Sequence, residues 1–162
     1  MKYKQAVGFM AKAFVDAHQS HAVRRKAGCI IVEERPDKRH RNLSNGYNGT
    51  RPGKCNDCED SDGVTLGYDT VIHAERNALE KLGESVKENV EITMFITRYP
   101  CPPCAELIRK FKVKHVYYCE SSLEPEIKHG DLGNIPTTYI PKEDIITVMS
   151  EITLGLAKPK FK

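Results

Sequence analysis

The sequence predicts a layered α/β domain, and three observations predict it. From residue 71 onward, strand-like apolar runs alternate with helix-like segments, an order that builds parallel strands covered by helices. The chain has 162 residues, which fits a single domain over 1–162 whose core needs no disulfide staples. Hydrophobic residues make up 40% and charged residues 29%, an ordinary globular balance.

Each element has its own signal. Tyr3, Val7, Met10, Ala11, Phe14 and Val15 fall at helical spacing, which predicts an amphipathic helix over 3–18. Ala27–Val32 is a short run rich in Ile and Val, a strand. A turn around Arg35-Pro36-Asp37 separates it from a second strand near Asn42–Tyr47, so the two should pair as a hairpin. Gly46–Gly67 holds Gly49, Gly53, Gly63 and Pro52 among several Asp and Asn, and is read as a long functional loop. Ala74–Leu82 has strong helix formers and ends at Gly83, a suitable stop. Val90–Tyr99 reads as a buried strand. Pro100-Cys101-Pro102-Pro103-Cys104 opens a helix through Lys112, because proline is tolerated in a first turn. Val113–Cys119 is a further strand, Glu120–Pro136 is polar and irregular, and Ile145–Leu156 is a last helix.

Composition narrows the function. Lys and Arg number 25 against 22 Asp and Glu, so the net charge is +3, too little to argue for nucleic acid. The only concentrated basic run is Lys158–Lys162, read as a terminus that frays. No apolar stretch approaches the roughly 18 residues of a membrane span, and Met1–Met10, broken by Lys2, Lys4 and Gln5, lacks a signal-peptide core. A cytoplasmic location follows, where thiols stay reduced. The six cysteines are then better read as metal ligands, catalytic groups or core residues.

The chemistry lies in His73-Ala74-Glu75 followed by Pro100-Cys101-Pro102-Pro103-Cys104, an H-x-E…P-C-x-x-C pattern. One imidazole and two thiolates suit zinc and leave its fourth position for water, whose pKa the metal lowers. Cys101 and Cys104 are three apart, so both sulfurs face one side of a first helical turn. Glu75, two residues past His73, can reach the same pocket and move protons. The N-terminal ends of both helices point at the metal and favour thiolate and hydroxide. Taken singly, each part has a blander explanation: a packed histidine, a redox CxxC, a solvated carboxylate. Their conjunction favours catalysis.

The chain resembles the deoxycytidylate deaminases of the cytidine deaminase superfamily in four segments, Ser20–Val32, Gly46–Thr50, His73–Ala78 and Pro100–Cys104. The likeness runs from the first helix to Glu120 and weakens beyond it. Gly46-Tyr47-Asn48-Gly49 favours this family over the tRNA adenosine deaminases. The resemblance implies a three-layer α/β/α sandwich around a five-stranded mixed sheet. It implies deamination of dCMP to dUMP in pyrimidine deoxynucleotide metabolism, and a homo-oligomer, often a hexamer, activated by dCTP and inhibited by dTTP with Mg2+. It further implies that Asn48 contacts the substrate sugar and that the Ala74 amide meets the pyrimidine oxygen. Ser20 and Arg24 correspond to a segment near phosphate, although Arg24 and Arg25 read equally as a solvated basic turn. Gly46, Tyr47, Asn48 and Gly49 would open an effector site. The family's base-stacking tyrosine has no counterpart, since Glu120 is followed by Ser121 and Ser122; Tyr99 is an alternative wall or a core residue.

Three further readings stand beside this one. A deaminase of tRNA or polynucleotides would want a basic groove with interleaved aromatics, and aromatics here are 7%. A structural zinc would take Cys58 as fourth ligand and leave Glu75 without a role. A deaminase of dCTP as well as dCMP is not separated by sequence. Finally, Cys55 and Cys58 form a second CxxC, and some relatives carry a second, structural zinc in this region. His18 and His21, three apart at the end of the first helix, could complete a Cys2His2 shell with them.

Overall fold

The computed structural model describes residues 1–37, 39–82, 90–120 and 128–157. Gly83, Ser121, Ser122 and the basic run 158–162 lie outside the described residues. In chain order the elements are α1 (Tyr3–His18), β1 (Gly28–Glu33), β2 (Arg41–Tyr47), β3 (Gly49–Thr50), β4 (Val71–Ile72), α2 (Ala74–Leu82), β5 (Ile92–Arg98), α3 (Pro102–Lys110), β6 (His115–Glu120), β7 (Thr137–Tyr139) and α4 (Lys142–Ala157).

Five strands form one mixed sheet in the order β2-β1-β5-β6-β7, and β3 and β4 form a separate small pair. β1 runs antiparallel to both β2 and β5, while β5–β6 and β6–β7 are parallel. The parallel half follows from the connections, since α3 carries the chain from β5 to β6 as a crossover. The hairpin expected from the turn at Pro36 is present, with a register irregularity between Ile31 and Val32.

The central strands are apolar on both faces because both are covered. Cys29 and Ile31 of β1, with Met94 and Ile96 of β5, pack under α2 and α3. Their neighbours Ile30, Val32 and Phe95 face α1 and the start of α4. The result is the α/β/α sandwich that the resemblance implied. β7 was absent from the element reading, because Thr-Thr-Tyr is short and mostly exposed and carries no apolar run.

Two glycines fix how closely the helices lie on the sheet. A Cβ on Gly28 would stand 1.9 Å from the Ala13 carbonyl oxygen, so α1 rests directly on the start of β1. A Cβ on Gly46 would stand 2.6 Å from both the Ala74 carbonyl oxygen and the Ala78 nitrogen, so the first turns of α2 rest on β2. Gly46 and Tyr47 therefore finish β2, in keeping with the strand expected near Asn42–Tyr47, and the long loop expected from Gly46 starts only after them. Among the described residues no helix is long and apolar enough to cross a membrane.

Candidate active site

Two connections bring the ligands together. β4 ends at Ile72 and α2 begins at Ala74, which leaves His73 at the junction. β5 ends at Arg98, and Cys101 caps α3 in an extended conformation (φ −74°, ψ 167°) with proline in the first turn behind it. Residues at the start of α2 keep their N–H groups free of intrahelical acceptors, whereas Pro102 and Pro103 have none to offer and the Cys104 N–H serves Cys101 at the other junction.

The Sγ atoms of Cys101 and Cys104 lie 3.4 and 3.5 Å from His73 Nδ1. All three ligand atoms fall within 4.8 Å of one another, and no other group of three or more His, Cys, Asp or Glu does so among the described residues. One imidazole and two thiols, with no fourth protein donor in the group, fit an open zinc site. Cys58 is not part of the cluster, which disposes of the closed four-ligand shell.

Electrostatics suit the same purpose. The hydrogen bond with Cys104 is the largest influence on Cys101 and brings its thiol down to about 4, while Cys104, sharing that bond and buried, is pushed up. A thiol held down in this way favours the thiolate that a metal ligand must be. Burial would depress His73, but the hydrogen bond to Cys101 and the negative charge of Glu75 and Cys101 outweigh it and raise its pKa. Glu75, in the first turn of α2, is only 7% exposed, and burial pushes its carboxyl up.

A cavity of about 170 Å³ opens beside them, its wall including Asn48, Thr65, Ala74, Arg98 and Tyr99. Glu75 faces it together with His73 and Cys101. Tyr99 is braced from outside, its ring stacked on His129 at 4.8 Å and edge-on to Tyr118 at 5.0 Å. Arg98 pairs with Glu120 at 3.1 Å across the ends of β5 and β6. A roomier apolar hollow between α1 and α4 lies on the other side of the sheet, away from these groups.

Other expected residues sit differently. The Asn48 side chain accepts the Ala27 N–H at 2.8 Å and donates to the Arg25 carbonyl at 2.8 Å, which holds the entry to β1. Ser20 is buried beneath it, donating to the Asn48 carbonyl and accepting from the Ala22 N–H. Arg25 borders the cavity, whereas Arg24 borders a separate hollow with His21, Cys58 and Glu59. The second metal set does not assemble. His18 opens toward Phe14 and Met149, Cys58 packs with Ala22 and Val71, and Cys55 is exposed. The spacing rule kept His18 and His21 on one face, but α1 ends at His18 and His21 lies in the irregular segment beyond it. Sequence reasoning missed Arg98 and Tyr68. The first had a signal, its place at the C-terminal end of a strand in an α/β sheet.

Residues 3–120 match the family model described as the cytidine and deoxycytidylate deaminase zinc-binding region. A deoxycytidylate deaminase of Saccharomyces cerevisiae is 33% identical over 121 residues, which cover 70% of this chain and 36% of that protein. One of Mycobacterium phage D29 is 30% identical over 128 residues, 70% of this chain and 93% of that protein. The chain spans about a third of the length of the yeast relatives it matches. A crystal structure of dCMP deaminase from the cyanophage S-TIM5, in complex with dCMP and dUMP, superposes with a TM-score of 0.70 at 31% identity, covering 87% of this chain and 98% of that one. The match takes in the first helix, both ligand-bearing junctions and the strands between them, and this chain belongs to the cytidine and deoxycytidylate deaminase family.

Proposed function

We propose that the protein hydrolyses the amino group from the cytosine base of a deoxynucleotide, converting dCMP and water to dUMP and ammonia. The observation that carries this reading is the meeting of His73, Cys101 and Cys104 beside a cavity that His73, Cys101 and Glu75 line. His73, Cys101 and Cys104 would hold zinc, which when bound lowers the pKa of water and supplies the nucleophile at neutral pH. Glu75 takes a proton from the attacking water and passes it to the ring nitrogen as the C4–O bond forms. It then delivers the second proton to the amine as the C4–N bond breaks. The Ala74 N–H, at the start of α2, would donate to the pyrimidine oxygen, and Tyr99 would wall the ring; both residues line the cavity. Asn48 contributes to the sugar side, and Ser20 supports it from below; of the two neighbouring arginines, Arg25 borders the cavity and Arg24 does not.

The cavity is small, which supports a free nucleotide over a folded nucleic acid. Val15, Ile146, Met149 and Ile152 expose an apolar stripe on α1 and α4, which supports a homo-oligomer, with a hexamer as the family-based form. Regulation by dCTP and by dTTP with Mg2+, through the Gly46–Gly49 segment, and a cytoplasmic location complete the reading. Ammonia release measured against dCMP, dCTP, deoxycytidine and CMP tests it: dCMP should turn over fastest, and release from none of the four would overturn it.

A further inference from the structure

The long loop between β3 and β4 returns to the ligand cluster through one side chain. Gly67–Thr70 forms a turn, with the Thr70 and Val71 N–H groups donating to the Gly67 carbonyl at 2.9 and 3.0 Å. Tyr68 occupies that turn, five residues before His73. Its ring meets the His73 imidazole edge-on, with centroids 4.8 Å apart and planes at 74°. The Arg76 guanidinium sits 5.2 Å from the same ring and is itself held by Glu80 at 2.6 Å, one turn along α2. The phenol hydroxyl is directed to the Cys104 sulfur. Tyr68 thus interacts with two of the three ligands and is braced by α2 through Arg76. None of this is required by packing alone, since Tyr68 is only half-buried and belongs to none of the core clusters.

We infer that Tyr68 is a positioning residue for the metal centre: its ring fixes the orientation of His73, and its hydroxyl donates to Cys104. The inference rests on the zinc reading above. Groups that orient metal ligands tune affinity and the electron density the ligand gives the metal. A hydrogen bond to a thiolate draws density from sulfur, so the metal it binds becomes a stronger acid. Arg76, stacked on the ring, keeps the loop turn closed over the site, an attraction available to a cation over an aromatic face.

The test uses the full chain loaded with Co2+, whose thiolate charge-transfer band reports sulfur donation, alongside competition for Zn2+ by a chromophoric chelator. Tyr68→Phe keeps the ring and loses the hydroxyl. It should shift the charge-transfer band to longer wavelength while leaving the melting temperature of the metal-free protein unchanged. Tyr68→Leu loses both contacts and should weaken Zn2+ binding about 10- to 100-fold. A purely structural tyrosine would instead lower the metal-free melting temperature and leave the band of Tyr68→Phe in place. Cobalt spectra and zinc affinities of both variants equal to those of the unaltered protein would overturn the assignment. An unaltered protein that shows no thiolate band with Co2+ would overturn the zinc reading itself, and this inference with it.

Discussion

Glu75 has almost no contact with solvent, and burial holds its carboxyl above the ordinary glutamate range. The upward shift moves the carboxyl toward the working range of a general acid and base. Glu75→Gln keeps the size and the hydrogen-bonding capacity but cannot accept the proton. Turnover of dCMP should fall on the order of 10²–10⁴-fold with zinc content unchanged; near-normal ammonia release would remove Glu75 from the mechanism. Asn48 allows a different prediction. Its amide satisfies the Ala27 N–H and the Arg25 carbonyl, so Asn48→Ala leaves both backbone groups without those bonds. A loss of about 1–3 kcal/mol in stability is expected from urea unfolding, and an unchanged midpoint would show that water replaces the amide. The ligand residues were legible in the sequence because their spacing is local: His73 precedes Glu75 by two and Cys101 precedes Cys104 by three. The two hydrogen bonds of Asn48 to residues more than twenty positions away were not, and neither was the approach of Tyr68 to Cys104.

Among the elements, α2 is the one the site depends on most, and its place is set by a missing side chain. The Ala74 carbonyl and Ala78 nitrogen lie where a Cβ of residue 46 would stand. Both are backbone atoms, which cannot rotate away. Gly46→Ala should push α2 off β2, move His73 and Glu75 away from the sulfurs, and cost about 1–3 kcal/mol. Circular dichroism melting and zinc content check this together, and normal values for both would mean that the helix relaxes without disturbing its first turn. Helices and buried strands were readable from apolar periodicity, with ends shifted by a few residues. β3, β4 and β7 were not, because two or three residues carry no period and their pairing is decided by distant partners.

At the scale of the whole molecule, the metal site ties the start of α2 to the start of α3, two helices reached by different excursions from the sheet. A ligand that binds only the folded form raises stability by mass action, about 2.7 kcal/mol at a hundredfold excess over Kd. Chelation should therefore lower the melting temperature and abolish activity together, and added Zn2+ should restore both; unchanged melting would mean the protein folds without regard to the metal. The apolar stripe on α1 and α4 supplies the other prediction at this scale. Ile146 and Ile152 are 62% and 57% exposed on one helix. Replacing both with Glu should reduce the sedimentation coefficient to that of a monomer while leaving the metal-ligand cluster, on the far side of the sheet, intact. An unaltered coefficient would place the subunit contact elsewhere.

The strand order has a consequence for how the chain acquires its shape. β1 is flanked by β2, its neighbour in sequence, and by β5, which begins at Ile92. During synthesis the hairpin of β1 and β2 emerges early with one edge of β1 unpaired, and that edge carries Ile30, Ile31 and Val32. At about 5–20 residues per second on the ribosome, β5 follows several seconds later. An apolar edge left open for that long invites pairing with other nascent chains. Pairing across such a sequence separation is also intrinsically slow. Cys101 lies just beyond β5, so the thiols cannot meet His73 until the strand that covers the open edge of β1 has been made. The ligand set is therefore completed only after the partner of that edge exists, and the exposed interval of β1 comes before any metal can help to hold the chain.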